Sequence, residues 1–261
     1  MKRRTLTAPR DGTLEELLEA PPEVISRGGA YVDGRRCRDP KARVKKGALL
    51  VAVLEDSGRP PPTNASEPLR VLFEDDDVIA VDKPAGLLTQ PGPGGGVSLL
   101  ELVSQHLGRE AGLVHRLDRE TSGVVVFGKH KRATSMLAAA FRDGTAKKQY
   151  VAIVSAELPE RGEIDLPLSR DPSRPGRWRA TRKANGVPAL TRYETKRSGA
   201  YTVVTLFPET GRTHQLRAHL TALGAPIVGD RLYGGASGAR CLLHARSLTI
   251  AGRTIEAPLP P

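Results

Sequence analysis

The run Val124-Val-Val-Phe127, closed off by Gly123 and Gly128, constrains this chain more than any other segment. It is too short for a helix and rich in β-branched side chains, so it reads as a buried strand at 123–128. The residues that lead into it are unusual. His115-Arg-Leu-Asp-Arg-Glu-Thr-Ser-Gly123 sets an acid between two arginines where the chain turns, with Ser122-Gly123 as the turn signal. Cations as close as Arg116 and Arg119 favour the charged form of an acid. Taken locally, a helix N-cap or surface ion pair accounts for Asp118 as well as chemistry does, and the remainder of the chain has to separate the two.

With 261 residues the chain has room for one large domain and a small appendage. Hydrophobic residues make up 39% but aromatics only 4%, so the core has to be built from Val, Leu, Ile and Ala. A formal charge of +11 and a pI near 10.0 point to a polyanion as partner more readily than to a small neutral molecule; plain solvated charge is the alternative. Cys37 and Cys241 lie far apart, and neither has a Cys or His at metal-ligand spacing. This fits a reducing cytoplasm rather than a disulfide framework or a zinc site. Met-Lys-Arg-Arg at the start is not followed by an apolar stretch, and no run approaches membrane-spanning length. The expectation is a cytoplasmic protein with no membrane or metal partner, and a monomer as the default state.

Residues 1–12 read as a disordered basic leader. Residues 13–56 read as a small unit: a short apolar helix with Leu14, Leu17 and Leu18, a Pro21-Pro22 break, a hairpin signalled by Asp33-Gly34, and a closing strand from Leu49 to Leu54. From Arg27 to Lys46 eight Lys or Arg stand against Asp33 and Asp39, a patch suited to phosphate contacts or simply solvated. Residues 57–68 have linker composition, and their triple proline favours an extended spacer. From 69 to 261, short strands interrupted by helices predict an α+β domain. Strands are expected at 69–73, 78–82, 123–128, 149–155, 189–195 and 201–207. One helix is expected at 131–142, with Ala133, Leu137, Ala140 and Phe141 on one face and Gly144 at its C-terminal cap. Another follows Thr213, with Leu216, Leu220 and Leu223 as its buried stripe and Gly224 and Pro226 ending it.

Four further stretches are suited to chemistry. Asp82-Lys-Pro-Ala-Gly-Leu-Leu88 presents Lys83 at a strand end through a fixed bend. Lys147-Lys-Gln-Tyr150 opens a strand on which Tyr150 is the one aromatic; Gly211-Arg-Thr-His-Gln-Leu-Arg-Ala-His219 opens the second helix; Gly229-Asp-Arg-Leu-Tyr-Gly234 is a glycine-bracketed loop. Arg217 borders the Leu216/Leu220 stripe, and an arginine at the rim of a buried face calls for a carboxylate partner. Asp118 is the expected partner, with some other structural acid as the alternative. His214 and His219 are five apart, off the i,i+4 zinc spacing. Pro91-Gly-Pro-Gly-Gly-Gly96 is followed by Val-Ser and reads as a flexible loop, not a phosphate cradle. A hydrolase using His115 with Asp118 lacks a third partner, and no Gly-x-Ser-x-Gly elbow is present.

In their order along residues 69–250 these motifs resemble the RluA family of RNA pseudouridine synthases. The segment Phe73-Glu-Asp-Asp-Asp-Val-Ile-Ala-Val-Asp-Lys-Pro-Ala-Gly-Leu-Leu88 is similar to the family's opening motif, 115–123 to its catalytic loop, Lys148-Gln-Tyr150 to its tyrosine motif and Gly211–Arg217 to its arginine helix. Gly229–Gly234 and Leu243-His-Ala245 follow in the expected order; Asp82 stands where asparagine is frequent. The resemblance implies the pseudouridine synthase fold, α+β with a central mixed, mostly antiparallel sheet and flanking helices. It also implies that 13–56 is a truncated RNA-binding module of the alpha-L type. Ser26-Arg27 and Tyr31-Val-Asp-Gly-Arg35 would be its remnant, and Pro21-Pro22 would cut short its helical part.

The activity so implied is isomerisation of uridine in structured ribosomal or transfer RNA, with no metal or organic cofactor. Asp118 would be the catalytic carboxylate, attacking the sugar or taking a proton from its 2′ position; Arg217 would hold and aim it, and Tyr150 would pack against the uracil. Arg116 would fill the vacated stack or grip the backbone. Lys83, Arg212, His115 and His214 are candidate RNA contacts, and so is the run Lys129-His-Lys-Arg132, for which solvation is an equal alternative. A non-catalytic RNA-binding or ribosome-associated protein of the same fold is the competing reading.

Overall fold

The computed structural model describes residues 2–20, 22–26, 29–54, 69–92, 97–182 and 186–260. The expected linker at 57–68, Arg27 and most of the 91–96 glycine tract lie outside the described residues. Two units partition the chain: 1–67 with 87–106, and 68–86 with 107–261.

The first unit holds strands β1 (Lys2–Thr7), β2 (Gly12–Thr13), β3 (Ala30–Val32), β4 (Arg35–Cys37), β5 (Arg43–Val44) and β6 (Leu49–Leu54). Its helices are α1 (Leu14–Leu18), α2 (Pro22–Ser26) and most of α3 (Leu99–Leu107). The main sheet runs β1-β6-β3-β4. Two expectations change here. The segment read as a disordered leader is a strand, because Lys2 to Thr7 pairs antiparallel with all of β6; a backbone partner orders what composition alone would leave loose. Pro22 does not end the helical part. Proline is tolerated in the first helical turn, where its missing N–H has no bond to lose, and here it begins α2, whose Ile25 is buried. The Asp33-Gly34 hairpin forms as expected, with φ of 49° and 76° at the turn, as a two-residue type I′ loop requires. Leu14, Leu18, Ile25 and Leu50 are the buried core of this unit. Residues 87–106, expected in the following domain, group with this unit, where Arg38 Nη1 meets Glu101 Oε1 on α3 at 3.0 Å.

The second unit begins with β7 (Val71–Glu74), β8 (Val78–Lys83), β9 (Gly112–Leu113), β10 (Ser122–Gly128), α4 (Lys131–Arg142) and β11 (Lys147–Val154). It continues through β12 (Arg161–Asp165), β13 (Leu168–Arg170), β14 (Trp178–Ala180), β15 (Leu190–Ser198) and β16 (Tyr201–Pro208). It ends with α5 (Gln215–Ala222), β17 (Leu243–Ile250) and β18 (Arg253–Glu256). A ten-stranded sheet runs β12-β15-β16-β11-β17-β10-β8-β7, with β18 on β17 and β9 on β10; β13 and β14 form a separate ribbon. The β10–β17 pair is parallel and the others are antiparallel, so the sheet is mixed and mostly antiparallel as expected. Every residue of β8 and β10 is buried, which is what an uninterrupted apolar run demands.

Helix α4 forms over the expected residues, with Ala133 and Leu137 buried. His130 Nδ1 accepts the Ala133 N–H at 3.3 Å as its cap, and Gly144 takes the positive φ beyond its end. Helix α5 departs from a simple stripe. Gln215 to Leu220 are all buried, whereas Leu223, expected in the stripe, is 38% exposed. The reason is that α5 lies between two cores: Leu216 and Leu220 meet Val204 and Leu206 of the sheet, while Ala218 meets Leu168, Ala189 and Tyr233. Polar side chains on a helix so placed must find partners.

Strands β10 and β17 approach closely because position 123 has no side chain: Gly123 has φ +114°, and a Cβ there would stand 2.2 Å from the Ala245 carbonyl oxygen. Gly123→Ala is expected to lower stability by about 2–5 kcal/mol through strain and backbone displacement. Gly144→Ala, with positive φ but nothing within 4 Å of its Cβ, is expected to lose about 1–2 kcal/mol. Urea denaturation of both variants checks this, and equal losses would contradict the tight approach.

Candidate active site

Inward-pointing side chains hold the loop between β9 and β10 from behind. His115 Nε2 accepts the Val126 N–H at 3.0 Å, and its ring stacks on Phe141 with centroids 4.5 Å apart. Burial, with a smaller push from Lys148, brings this imidazole down to about 3. Lys83 is completely buried, its Nζ donating to the carbonyls of Pro84 at 3.0 Å and Arg119 at 3.1 Å. Burial brings its amine down to about 7 despite the attraction of Asp118 and Glu120. Arg119 turns the same way: Nε donates to the Gly86 carbonyl at 2.8 Å, and its own carbonyl accepts the Gly86 N–H at 2.7 Å. Lys83, expected as an RNA contact, is therefore a loop support, because its amine is buried against the backbone; His115 directs Nε2 onto the backbone and still lines the cleft. Of the two arginines flanking the acid, Arg119 faces away from it. The Asp118 carbonyl accepts the Thr121 N–H at 3.1 Å, and the side chain, 20% exposed, lines a cleft of about 630 Å³.

Across the cleft, Arg217 on α5 meets two acids. Nε and Nη2 donate to Asp230 Oδ2 and Oδ1 at 2.6 and 2.7 Å. Nη1 stands 3.7 Å from Asp118 Oδ2, an ion-pair distance and too long for a hydrogen bond. The expected partner is present, yet Arg217 bonds first to Asp230, which in the sequence is only a residue of a glycine-bracketed loop. Burial alone would depress the guanidinium; the hydrogen bonds and charge of Asp230, with Asp118 behind them, leave its pKa above the ordinary value. Tyr233, from the same glycine-bracketed loop and given no role in the sequence, packs its ring 4.9 Å from Arg217 Cζ. Its hydroxyl donates to the Trp178 carbonyl at 2.8 Å and accepts the Trp178 N–H at 3.0 Å. With that proton used, the 3.2 Å contact to His214 Nδ1 has the imidazole as donor. The other edge of His214, Nε2, lies 4.0 Å from Asp118 Oδ2, and burial lowers this imidazole against the opposing pull of Asp118.

Tyr150 reaches the same cleft from β11. The β11–β17 register slips between Gln149 and Tyr150, a bulge of the kind that re-aims one side chain. Burial, and after it the charge of Asp118, raise its phenol above the usual tyrosine range. Arg116 and Arg212 are exposed and line the cleft. Gln215, within the Gly211–Arg217 motif but given no role in the sequence, fixes this rim: Oε1 accepts from Thr210 Oγ1 at 2.7 Å and the Arg212 N–H at 3.0 Å, and Nε2 donates to the Leu190 carbonyl and Thr191 Oγ1 at 3.0 Å. A second carboxylate in the cleft, Glu209, pairs with Arg192 at 2.8 Å and Lys147 at 3.8 Å. The run at 129–132 divides. Lys129 bonds Glu74 at 3.0 Å and His130 bonds Asp77 at 2.8 Å, while Lys131 and Arg132 are exposed.

The site thus brings Asp118, Arg217, Tyr150 and His214 to one cleft with Arg116 and Arg212 along it, and leaves Lys83 outside. A carboxylate held by a fixed cation and faced by an aromatic suits nucleophilic or base chemistry on a planar ring carried by an anionic backbone. A family profile described as RNA pseudouridylate synthase matches residues 77–222. The ribosomal large subunit pseudouridine synthase D of Xanthomonas campestris pv. campestris is 38% identical over 82% of this chain; the chain spans 66% of that relative, just under two thirds of its length. The dual-specificity RNA pseudouridine synthase RluA of Escherichia coli K12 is 43% identical over 70% of this chain and 86% of its own. Among solved structures, human RNA Pseudouridylate Synthase Domain Containing 1 superposes with a TM-score of 0.64 at 25% identity, over 74% of this chain and 83% of that one.

Two outcomes are expected from this geometry. Asp230→Asn should lower kcat by about 100-fold or more and change substrate affinity little; wild-type kcat in that variant would remove Asp230 from the site. For His115 the folded-state value near 3 lies below the unfolded 6.5, so its stabilising effect is complete above about pH 6.5 and is lost as pH falls toward 3. Urea unfolding should therefore weaken in acid by up to about 1.4 kcal/mol per pH unit more in wild type than in His115→Phe; parallel pH profiles would contradict the burial of a neutral imidazole.

Proposed function

This chain belongs to the RluA family of RNA pseudouridine synthases, and we propose that it isomerises specific uridines in structured ribosomal or transfer RNA to pseudouridine. The observation that supports this best is the convergence of Asp118, Arg217 and Tyr150 on one cleft. A uracil stacked in RNA is out of reach, so the nucleotide is flipped into the cleft, where Tyr150 supplies a face for the ring. Asp118 then acts on the ribose, either attacking C1′ as the N1–C1′ bond breaks or removing the proton from C2′. The detached uracil turns and C5 bonds to C1′, as the Asp118–C1′ ester breaks on the first path or as Asp118 returns its proton to C2′ on the second; C5 then loses its proton and N1 takes one up. Arg217 keeps the carboxylate oriented throughout. Arg116 and Arg212 contact the sugar-phosphate backbone on either side, and the reaction belongs in the cytoplasm, where these RNAs are found.

A glycoside hydrolase needs a second carboxyl group to handle water or the leaving group. Glu209 is unsuited to that task because Arg192 and Lys147 engage it. A hydrolase built on His115 and Asp118 is equally unsupported, since His115 spends Nε2 on Val126. A non-catalytic RNA binder would have no use for a carboxylate faced at ion-pair distance by a buried arginine. Tritium release from RNA carrying 5-tritiated uridine decides between them. Wild type should release tritium, and Asp118→Asn should release about 10³-fold less or none while binding RNA within about threefold, since phosphate contacts supply most of the affinity. Turnover by the Asn variant would remove the carboxylate from the mechanism.

A further inference from the structure

The ribbon formed by β13 and β14 lies outside the motifs that carry the chemistry, yet it is tied to the site. Trp178 gives both its backbone N–H and its carbonyl to the Tyr233 hydroxyl, which also meets His214. Residues 168–182 contain five arginines, at 170, 174, 177, 179 and 182, against one acid, Asp171. That acid is taken by Arg177, whose Nε stands 3.6 Å from Asp171 Oδ2. Arg174 and Arg182 are exposed and Arg179 is half-buried; none of the three has an ion-pair partner among the described residues. Other arginines of this unit do find acids, as Arg192 does at Glu163 (3.1 Å) and Arg197 at Glu157 (3.2 Å); the ribbon sets three without one on a single short arm.

Strand register distributes these charges. Leu168 faces Ala180 and Arg170 faces Trp178, whereas Ser169 faces Arg179. Alternation puts Arg179 on the face opposite Trp178, where Trp178 and Ala180 pack toward Leu168 and Tyr233. Arg170 Cζ lies 6.0 Å over the half-buried Trp178 ring, and Arg174 is in the turn between the strands. Cations therefore occupy both faces and the tip of a two-stranded arm. A single strand offers one row of phosphates, but an RNA stem offers two rows bordering a groove. We infer that the β13–β14 ribbon is a second RNA contact, which grips the phosphates of a stem flanking the nucleotide held at Asp118, with Trp178 covered when it does so. The inference rests on the RNA-modifying reading above and adds the part of the fold that selects structured RNA over single strands.

Trp178 is the chain's one tryptophan, so its fluorescence reports on the ribbon without labelling. Bulk transfer RNA should protect it from acrylamide quenching, and polyuridine at equal nucleotide concentration should protect it several-fold less. In the Arg174→Gln/Arg179→Gln/Arg182→Gln variant the slope of log affinity for transfer RNA against log salt should fall by about 2 to 3; KM should rise about tenfold with kcat within twofold. An unprotected Trp178 in a protein that binds transfer RNA, an unchanged salt slope, or equal protection by polyuridine would overturn the proposal. If the triple variant fails to fold, the quenching of wild type decides alone. Absence of tritium release by wild type would count against the isomerase reading; quenching and salt slope measure binding and test the ribbon independently.

Discussion

A buried guanidinium shared by two carboxylates is the interaction on which the second unit depends. Arg217 and Asp230 are 5% and 1% exposed, and charges taken so far out of water are tolerated only when hydrogen bonds satisfy them on every side. Two bonds join the pair, and Asp230 also accepts the Leu232 and Tyr233 N–H groups at 3.2 Å. The loop that supplies Asp230 must therefore be tight, and Gly229 makes it so: its φ is +78°, and a Cβ there would stand 1.7 Å from the Arg240 carbonyl oxygen. With two of its nitrogens committed, the guanidinium has one left to offer Asp118. The cation beside that carboxylate is thus fixed by the fold before any ligand arrives, the condition under which electrostatic stabilisation is most effective.

The opposite wall is built on the same economy of charge. Lys83, His115 and Arg119 each direct a polar nitrogen onto backbone, so the turn at Asp118 rests on a buried lattice and not on a mobile loop. Chemistry-bearing residue types next to an acid suggested ligand contacts. Burial redirects them. The cations left at the surface of the cleft are Arg116 and Arg212, which the proposed function assigns to the RNA backbone.

Legibility in the sequence followed how far each residue's partner lies along the chain. Strands with β-branched runs, and α4 with its apolar face and capping residues, are written in local periodicity and were read to within a few residues. Strand β17 was not, because Leu243-His-Ala-Arg-Ser-Leu-Thr-Ile250 carries His244, Arg246 and Ser247 in the middle of a sheet. Its polarity is resolved by tertiary partners: Ser122 on His244 at 2.9 Å, Glu256 on Arg246 and Gln149 on Ser247. Strand β1 was hidden for a related reason, since Lys-Arg-Arg-Thr-Leu-Thr has nothing to order it until β6 is placed beside it. At the site, the need of Arg217 for an acid was readable from its helical position. Which acid bonds it was not: Asp118 and Asp230 come from separate loops, and no local pattern encodes which of them reaches the guanidinium at hydrogen-bond distance.

Two populations of charge follow from this arrangement, and they respond differently to solution conditions. The buried pair, Arg217 with Asp230, sits where mobile ions screen weakly; the exposed arginines sit where screening is strong. Ionic strength therefore acts on docking and leaves that pair alone. The cleft adds a further separation. Isomerisation requires that the detached base be kept and water be kept idle, and the second carboxylate within reach, Glu209, is engaged by Arg192 and Lys147 instead of facing the ribose as a free base. On the proposed reaction cleavage and reattachment then share one acid, since Glu209, just beyond β16, is held in salt bridges to the neighbouring strands.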